Sequence, residues 1–232
     1  IRGVGNETNQ NAIAAPSVAY HMDGIFIASP FSLQTDFIDV QRIEVLRGPQ
    51  GTLFGQNSTG GAINVISNKP TADERFSKAD ITYGDYGMKQ LRSSSNFPIS
   101  DNVSTKLSLS AMTREGFTEN LATGQDLDDA HNLSFRTDWM IDVNDTTSLR
   151  IFGQYSSVDR NGAAIRGIDD QSPGMRKLSQ NTISKQELTS SVFAMIFETD
   201  LGYASLKILA SSQEDDISVT RDNDRHNYGD PV

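Results

Sequence analysis

The side chains in this sequence best suited to chemistry are its carboxylates, which occur in three clusters. The clusters are Asp126, Asp128 and Asp129; Asp169 and Asp170; and Glu214, Asp215 and Asp216. Carboxylate oxygens are the ligands that Ca²⁺ and Mg²⁺ prefer in proteins, so these groups could bind cations or contact a cationic ligand. Because all three clusters are predicted to lie in or beside long polar loops, solvated loop side chains are the simpler interpretation.

The histidines and cysteines give no support for a metal centre or a catalytic site. His21, His131 and His226 are scattered along the chain without ligand spacing. The chain contains no cysteine, which excludes disulfides, thiolate metal sites and cysteine nucleophiles. Serine, histidine and aspartate are all present, but no nucleophile-elbow motif accompanies them. The sequence therefore predicts that the protein is not an enzyme and carries no cofactor.

Net charge and hydropathy limit the possible partners. The formal net charge is −10, which argues against nucleic acid because phosphate binding needs a basic face. The longest unbroken apolar run, Val192–Phe197, is far shorter than the roughly 18 residues that a membrane-spanning helix needs. Membrane-spanning strands alternate in polarity and leave no such run, so a strand-based membrane protein stays possible.

A glycine-rich loop between two short apolar runs is the most distinctive local feature. The stretch Arg42–Ser67 reads RIEVLRGPQGTLFGQNSTGGAINVIS, with β-branched residues at both ends. Glycine-rich loops after strands often hold phosphate, but this one lacks the Gly-Lys-Ser/Thr ending of a P-loop. Glycine permits positive φ and close approach of backbone to backbone, so we interpret the loop as a compact structural turn system.

Beyond Pro70 the chain changes to alternation of apolar and polar residues. In the segment HNLSFRTDWMIDV, at positions 131–143, odd positions are mainly apolar and even positions mainly polar. In a β-strand this pattern places one set of side chains on each face. Seven segments are predicted as strands on this basis: 79–83, 89–97, 103–112, 131–143, 149–155, 188–199 and 204–211.

Apart from the first connection, Gly84–Gly87, which is short and breaks the rule, short and long connections alternate between these strands. This alternation favours a membrane barrel over a soluble sandwich. Pro98–Asn102, Asn144–Asp145 and Asp200–Gly202 are predicted tight turns, whereas Glu115–Ala130 and Asp159–Lys185 are long and polar. Outer-membrane barrels have short turns at one end and long loops at the other. A soluble antiparallel sandwich also alternates, but the repeat of about 23 residues exceeds the sandwich spacing of about 8–12.

The glycine-rich region resembles the plug domain of TonB-dependent outer-membrane receptors. The stretch DVQRIEVLRGPQGTLFGQNSTGGAINVISNKP looks like the end of that plug, and PSVAYHMDGIFI, with its Asp23-Gly24 turn, is similar to an earlier plug segment. The likeness rests on the signature residues Arg42, Glu44, Arg47, Gly48, Pro49, Gly51, Phe54, Gly55, Gly60, Gly61 and Asn64. It covers about residues 1–70, and the later strands are similar only in pattern.

The resemblance and the alternation together predict the fold class. We expect a small α/β plug domain, of which residues 1–70 are the C-terminal portion, followed by antiparallel transmembrane β-barrel strands in residues 71–232. About seven strands make an incomplete barrel, because plugged transporters have about 22. The chain is therefore interpreted as an internal fragment of a longer receptor.

The resemblance implies active transport across the outer membrane of a Gram-negative bacterium. A scarce nutrient, such as a ferric siderophore, cobalamin, haem or an oligosaccharide, would bind from outside. The TonB complex would supply energy through a TonB box that is absent from this chain, and outer-membrane lipid and lipopolysaccharide would be further partners. The resemblance assigns no ligand-binding residue. A passive porin-like channel, or a soluble β-sandwich or adhesin module, is the alternative.

Four charged residues are expected to face the interior of such a barrel. Each lies at a position that alternates with the apolar residues of its strand, so that it points to the opposite face; the four are Lys106, Arg136, Asp138 and Arg150. In a plugged barrel these groups could form hydrogen bonds with the plug. They are therefore candidate plug contacts.

Overall fold

The structure, a computed structural model, describes residues 17–27, 38–55, 57–168 and 170–222. Within these ranges the chain forms three β-sheets of four, seven and three strands, which we call the small sheet, the large sheet and the loop sheet. Strands are numbered in chain order. No helix in the described ranges is long and apolar enough to cross a membrane.

The small sheet is built from the first part of the chain and is mixed. Its strands are β1 (Val18–Met22), β2 (Ile25–Phe26), β3 (Val40–Arg47) and β4 (Gly61–Ser67), in the spatial order β2-β1-β4-β3. β1 and β4 run parallel, whereas β2 and β3 each pair antiparallel with their neighbour. The one helical turn among the described residues, α1 (Gly51–Phe54), lies between β3 and β4. The observed part of this region is almost wholly β, and the α/β layering expected from the sequence remains a prediction.

A two-residue turn joins β1 to β2 at the edge of the small sheet. Asp23 and Gly24 have φ angles of +54° and +88°, the left-handed conformations that a type I′ hairpin turn requires, and Asp-Gly is a favoured sequence for such a turn. The amide of Asp23 donates to the carbonyl of Val65 at 2.9 Å. The turn is thereby tied to β4 and holds the Asp23 side chain in a fixed position.

The glycine-rich loop folds back on itself between β3 and β4. The amide of Gly48 donates to the carbonyl of Gly60 at 3.3 Å. Gly48 and Gly55 have φ angles of +86° and +70°, and a Cβ at either position would meet nothing within 4 Å. Backbone conformation, and not the close approach suggested by the sequence, requires glycine at these two positions. Gly51 begins α1 and has no left-handed φ.

A seven-stranded antiparallel meander forms the large sheet, in which each strand pairs with the sheet's next strand along the chain. Its strands are β5 (Phe76–Tyr83), β6 (Lys89–Ser100), β7 (Val103–Arg114), β10 (Ala130–Asn144), β11 (Thr147–Arg160), β13 (Lys185–Asp200) and β14 (Ser205–Thr220). Each segment predicted from alternation forms one of these strands. The sheet is open in the described residues, with β5 and β14 at its edges.

The last strand is longer than the sequence predicted. β14 pairs with β13 in unbroken register from Ser205 to Thr220, whereas alternation indicated an end near residue 211. The polar run Glu214-Asp215-Asp216 therefore lies within a strand and not beside a loop, which corrects the expectation for this acidic cluster. Backbone hydrogen bonding to β13 continues β14 beyond residue 211, although the polar side chains there indicated that the strand would end.

The two faces of the large sheet differ in polarity. On β10 the outward side chains of Leu133 and Trp139 are 44% and 40% exposed, whereas the intervening Ser134 and Arg136 are 1% and 3% exposed. The buried polar face is the one that meets the small sheet. A soluble sandwich has the opposite arrangement, because its apolar rows pack against a second sheet.

A small apolar core joins the two sheets. Ile25 of β2 packs against Phe152 of β11 and against Val192, Ala194 and Ile196 of β13. All five side chains are at most 7% exposed. Apolar packing thus positions the β1–β2 hairpin against the middle of the large sheet.

The two long connections are not independent loops, because together they form the loop sheet. Its strands are β8 (Thr118–Asn120), β9 (Gln125–Leu127) and β12 (Lys177–Leu178), in the order β12-β8-β9. β8 pairs in parallel with β12, which comes from the other connection. The pairing buries Leu127 and Leu178, which are 0% and 1% exposed.

Two amide side chains clamp the connections together. Asn120 Nδ2 donates to the carbonyl of Gln180 at 3.0 Å, and the amide of Gln180 donates back to Asn120 Oδ1 at 3.0 Å. Gln125 forms the same reciprocal pair with the backbone of Ser184, at 2.7 and 3.0 Å. The side-chain amides of Asn120 and Gln125 thus form the paired hydrogen bonds that a neighbouring strand's backbone would otherwise form.

We expect the substitution Asn120→Ala to loosen this clamp. A buried hydrogen-bonding group that loses its partner costs about 1–3 kcal/mol, or roughly 5- to 150-fold in a local opening equilibrium. Hydrogen exchange at the Gln180 amide should accelerate within that range. Glu119→Gln is the matched control, because Glu119 forms only an exposed ion pair with Lys177 at 2.8 Å, and such pairs contribute about 0–1 kcal/mol. Unchanged exchange in Asn120→Ala would contradict the clamp.

Candidate functional site at the interface of the two sheets

Charged side chains from both sheets meet in a buried group, which we call the ionic cluster. Arg136 Nη2 lies 2.7 Å from Asp23 Oδ2, and Arg150 Nη1 lies 3.4 Å from Asp23 Oδ1. Asp138 Oδ2 lies 3.1 Å from Arg136 Nη2 and 2.6 Å from Arg150 Nη2. The four side chains are 2–4% exposed. Two positive and two negative charges are balanced there, which offsets the cost of removing them from water.

Ser67, the last residue of β4, completes the hydrogen bonding of the cluster. Its amide donates to Asp23 Oδ1 at 3.0 Å and its hydroxyl donates to Asp23 Oδ2 at 2.7 Å. The same hydroxyl oxygen accepts from Arg150 Nη2 at 2.7 Å. The hydroxyl therefore connects an acid of the small sheet to a base of the large sheet.

The ring of Phe152 underlies both guanidinium groups. The Arg136 Cζ lies 3.9 Å from the ring centroid and the Arg150 Cζ lies 5.3 Å from it. An aromatic face attracts a cation, and the attraction grows when water is excluded. Phe152 is completely buried, so it both packs against Ile25 and holds the two bases in position.

A second ionic contact lies apart from this cluster. Lys106 Nζ is 2.5 Å from Asp39 Oδ2, with side chains 4% and 15% exposed. Asn96 on β6 binds the segment that leads into β5: its Oδ1 accepts from the amide of Thr71 at 3.1 Å and its Nδ2 donates to the carbonyl of Glu74 at 2.6 Å. The large sheet thus binds Asp23 and Asp39 through ionic contacts and also holds the segment that leads into β5.

The charges of the cluster set the ionisation of Asp23. Burial alone would raise the pKa of Asp23, but the Arg136 and Arg150 guanidiniums and the two hydrogen bonds from Ser67 outweigh it, so the pKa lies below its ordinary value of 3.8. Asp23 is therefore a carboxylate at neutral pH, as an ion-pair partner must be.

The lowered pKa of Asp23 predicts acid-induced release of the small sheet. A group whose folded-state pKa is depressed contributes stability that is complete above its unfolded pKa and is lost as the pH falls through the folded value. Protection of β1 and β4 against hydrogen exchange should therefore be insensitive to Asp23 between about pH 7 and about pH 5, and should fall below about pH 3.8. The variant Asp23→Asn should lack this acid transition. An identical transition in both proteins would contradict the assignment.

The four charged residues predicted to face inward all lie at this interface. Lys106 contacts Asp39, which directly precedes β3. Arg136 and Arg150 contact Asp23 in the β1–β2 turn, and Asp138 bridges the two arginines. Their side chains lie on the buried face of the large sheet.

Most signature residues of the glycine-rich region lie apart from the ionic cluster, but Arg42 and Asn64 line a cavity of about 310 Å³ together with Asp23 and Arg150. The structure brings together Arg42, Glu44 and Asn64: Arg42 Nε lies 2.8 Å from Glu44 Oε1, and Asn64 Nδ2 donates to Glu44 Oε2 at 3.1 Å. The others form the turn system and its ends, namely Arg47, Gly48, Pro49, Gly51, Phe54, Gly55, Gly60 and Gly61. The pair Arg42–Glu44 is exposed and joins two residues of the same strand.

His21 is buried in the small sheet. Its ring lies 4.9 Å from the ring of Phe54 and 5.6 Å from that of Phe26. Burial lowers the pKa of His21, so its neutral form is favoured. In the described ranges no group of three or more His, Asp or Glu residues is placed to hold a metal ion.

The acidic residues of the first long connection accept hydrogen bonds from the second. Asp128 Oδ1 accepts from the amide of Ala164 at 3.0 Å, and its Oδ2 accepts from Thr118 Oγ1 at 2.7 Å. Asp129 Oδ1 accepts from the amide of Asn161 at 2.6 Å. These carboxylates are engaged in ordering the loop backbone, which favours a structural role for them.

The second acidic cluster follows the same pattern as far as it is described. Asp170 Oδ1 accepts from the amide of Ser172 at 2.7 Å, and its Oδ2 accepts from the amide of Ser179 at 3.1 Å. These hydrogen bonds contribute to a pKa of Asp170 that lies below the ordinary value, although desolvation opposes them. Asp169 and His226 lie outside the described residues.

Three residues of the interface were not identified from the sequence. Asp23 was assigned only to a turn, and Asp39 and Ser67 were assigned no role. An Asp-Gly turn usually presents its aspartate to solvent, so the local sequence contains no signal for a buried ion pair. The ion pair is evident only from the arginines on β10 and β11. The Arg136–Asp23 contact spans 113 residues of chain and the Arg150–Ser67 contact spans 83.

The family is identified by the first part of the chain. Residues 1–62 match the family model described as the TonB-dependent receptor plug domain. This part of the chain is thus similar to the plug domain of TonB-dependent receptors. By this similarity we call the small sheet the plug and the large sheet the wall.

Relatives of the chain are receptors of the same family. The chain is 35% identical over 114 residues to the pesticin receptor of Yersinia pestis, covering 48% of this chain and 16% of the relative. It is 29% identical over 105 residues to the metal-pseudopaline receptor CntO of Pseudomonas aeruginosa, covering 44% and 14%. The chain thus matches less than a fifth of the length of these receptors.

A solved receptor structure has the same fold. The ferric yersiniabactin uptake receptor FyuA from Yersinia pestis superimposes with a TM-score of 0.76 at 20% identity, covering 88% of this chain and 33% of that receptor. The similarity therefore extends over both the plug and the wall. It supports the architecture of the seven-stranded wall as a segment of a receptor fold.

Proposed function

We propose that this chain forms part of an outer-membrane receptor of a Gram-negative bacterium that imports a scarce small nutrient by active transport energised through TonB. The observation that carries the proposal is the ionic cluster, in which an acid of the plug is bound by two buried bases of the wall. A plug held by a few buried charges blocks the lumen at rest and can be displaced by work supplied from outside. Outer-membrane lipid would contact the apolar face of the wall, and lipopolysaccharide would lie beside the acidic connections.

We propose a metal chelate as the nutrient class. One relative is named as a metal-pseudopaline receptor and one structural neighbour as a ferric yersiniabactin uptake receptor, which favours a siderophore-like ligand over cobalamin, haem or an oligosaccharide. Transport needs no catalytic group and no resident cofactor in this chain. The division into a plug at residues 1–70 and a wall at residues 71–232 belongs to the same proposal.

The main rival function is passive diffusion through a porin-like channel. A passive channel needs a lumen that is open to water, but the lumen-facing Arg136 and Asp138 are 3% and 2% exposed. Asp23 and Ser67 of the plug occupy the space in front of them. The interface therefore favours a gated path over an open one.

The proposal is tested by uptake measurements in cells that express a receptor containing this chain. Radioactive ferric yersiniabactin and a metal-pseudopaline complex are offered separately, in hosts with and without functional TonB, with cyanocobalamin as a ligand of another class. We expect accumulation of at least one chelate only where TonB is present. Equal accumulation without TonB would support passive diffusion, and binding of none of the three would contradict the proposed function.

A further inference from the structure

One row of the wall is built from serines. Ser110, Ser134, Ser156 and Ser190 lie on four adjacent strands and pair directly with one another in register. Their side chains face the plug side of the wall and are 1%, 1%, 1% and 7% exposed. Adjacent strands lie about 4.8 Å apart, so the four hydroxyl groups form a line about 14 Å long, which we call the serine row.

The serine row contains hydrogen-bonding capacity that the resting structure does not use. Ser134 Oγ is buried and has no hydrogen-bond partner. Asn132 lies two residues away on the same face of β10 and is 8% exposed. Its Oδ1 is also buried and has no hydrogen-bond partner. Unpartnered buried polar groups are rare because each costs free energy. Their presence at one place indicates a surface that is completed by something else.

A cavity of about 200 Å³ lies at the Ser110 end of the row. It is lined by Lys78, Asp80, Arg92 and Ser110 of the wall and by Asp39 of the plug. Arg92 pairs in register with Ser110, so the cavity continues the row. At about 30 Å³ for each water, it can hold about six water molecules. Space between plug and wall thus already exists where the polar row begins.

The rows on either side of the serine row have different chemistry. Toward the short turns lies the ionic cluster, in which the wall binds the plug directly. Toward the long connections lies an apolar group of Val158 and Leu188, with Ile217 packed against it. The serine row is therefore a level of small, uncharged polar side chains between a fixed contact and an apolar rim, and it continues in register into Arg92 at one end and Asp215 at the other. A serine hydroxyl donates one hydrogen bond, accepts two and rotates freely between them.

We propose that the ligand crosses the serine row as it passes between plug and wall, so that the row is a polar section of the transport track, and that this section suits an oxygen-rich, hydrogen-bonding solute. The inference rests on the proposed transport function and adds the position of the path. A passage must bind its solute at several weak sites, strongly enough to admit it and weakly enough to release it. A row of small hydroxyls, of which Ser134 Oγ has no partner and Ser156 Oγ accepts only a long hydrogen bond of 3.4 Å from Gln154, meets that requirement. The charges of the ionic cluster would instead hold an ionic solute.

Single-cysteine accessibility tests the track in the receptor that contains this chain. The chain has no natural cysteine, so Ser134→Cys and, as a control, Ala194→Cys each add one thiol to it. Both positions are buried on the plug side of the wall. With ferric yersiniabactin or metal-pseudopaline and functional TonB, a membrane-impermeant maleimide should label Ser134→Cys at least tenfold faster than at rest. The acceleration should be smaller at Ala194→Cys, which packs against Ile25 of the plug. No acceleration at Ser134→Cys, or equal acceleration at both, would overturn the track.

A steric test gives a second, independent measurement. Ser190→Leu places a large side chain in the row, and Ser191→Leu places the same side chain on the outward, exposed face of the same strand. We expect Ser190→Leu to retain chelate binding at the cell surface but to lose at least tenfold in uptake rate, while Ser191→Leu matches the parent in both. Retained binding shows that the Ser190→Leu receptor is folded. If it binds no chelate, Ser190→Thr is measured instead, with an uptake loss of at least threefold expected.

The outcomes separate the track from the proposed function. Parent receptor that neither binds nor imports a chelate refutes the transport function itself. If the parent receptor imports the chelate and Ser190→Leu, or its substitute Ser190→Thr, imports it at the same rate, the track is refuted. The proposed transport function is not affected by that result.

Discussion

Arg136→Gln is expected to release the plug from the wall. The substitution leaves Asp23 with one base in place of two and removes the contact between Arg136 and Asp138, all at sites that are at most 4% exposed. Removing one partner from a buried ion pair costs about 3–5 kcal/mol, which corresponds to a rise of more than about a hundredfold in the population of released plug. Charge reversal by Arg136→Glu should have a larger effect, because it places a third negative charge in the cluster.

Plug release is measured by limited proteolysis and by hydrogen exchange in β1 and β4 of the purified receptor. Arg42→Gln serves as the control, because the Arg42–Glu44 pair is 55% and 38% exposed and exposed pairs contribute about 0–1 kcal/mol. The control should digest at the parent rate. Unchanged proteolytic protection of the plug in Arg136→Gln would show that the cluster does not retain it.

Phe152→Ala is expected to weaken the same interface without changing its charge. Phe152 is completely buried, packs against Ile25 of the plug and lies beneath the Arg136 guanidinium at 3.9 Å. Truncation of a buried phenylalanine costs about 3–5 kcal/mol, from lost burial and the cavity left behind. The substitution should weaken the packing against Ile25 and should leave the Arg136 and Arg150 guanidiniums less well oriented.

The matched control for Phe152→Ala is Phe135→Ala. Phe135 lies on the adjacent strand but faces outward and is 43% exposed. Thermal unfolding of the plug, followed by hydrogen exchange at the amides of β1, should shift to lower temperature in Phe152→Ala and not in Phe135→Ala. An equal shift in both variants would mean that the effect arises in the wall alone.

The wall could be predicted from the sequence because its signal is local. Period-two alternation is decided by neighbouring residues, and in HNLSFRTDWMIDV it assigned Leu133 and Trp139 to one face and Arg136 and Asp138 to the other. The structure places these side chains on the same two faces. Strand ends were less predictable, since β14 continues to Thr220 by pairing with β13.

The partners of the inward charges could not be predicted, because they depend on contacts between distant parts of the chain. Alternation gives the direction of the Arg136 side chain but not the residue that it meets, and Asp23 is 113 residues earlier. The loop sheet was missed for the same reason. β8 and β12 have two or three residues each and pair across two connections, too short for any periodicity to show.

The loop sheet also determines what an antibody could recognise on this receptor. Asn120 and Gln180 are 60 residues apart in the chain but are joined by two hydrogen bonds, so the surface around them is a discontinuous epitope. A synthetic peptide copied from either connection alone would lack half of that epitope and the β-pairing that shapes the rest. Immunogens directed at this face must therefore present both connections in their folded form.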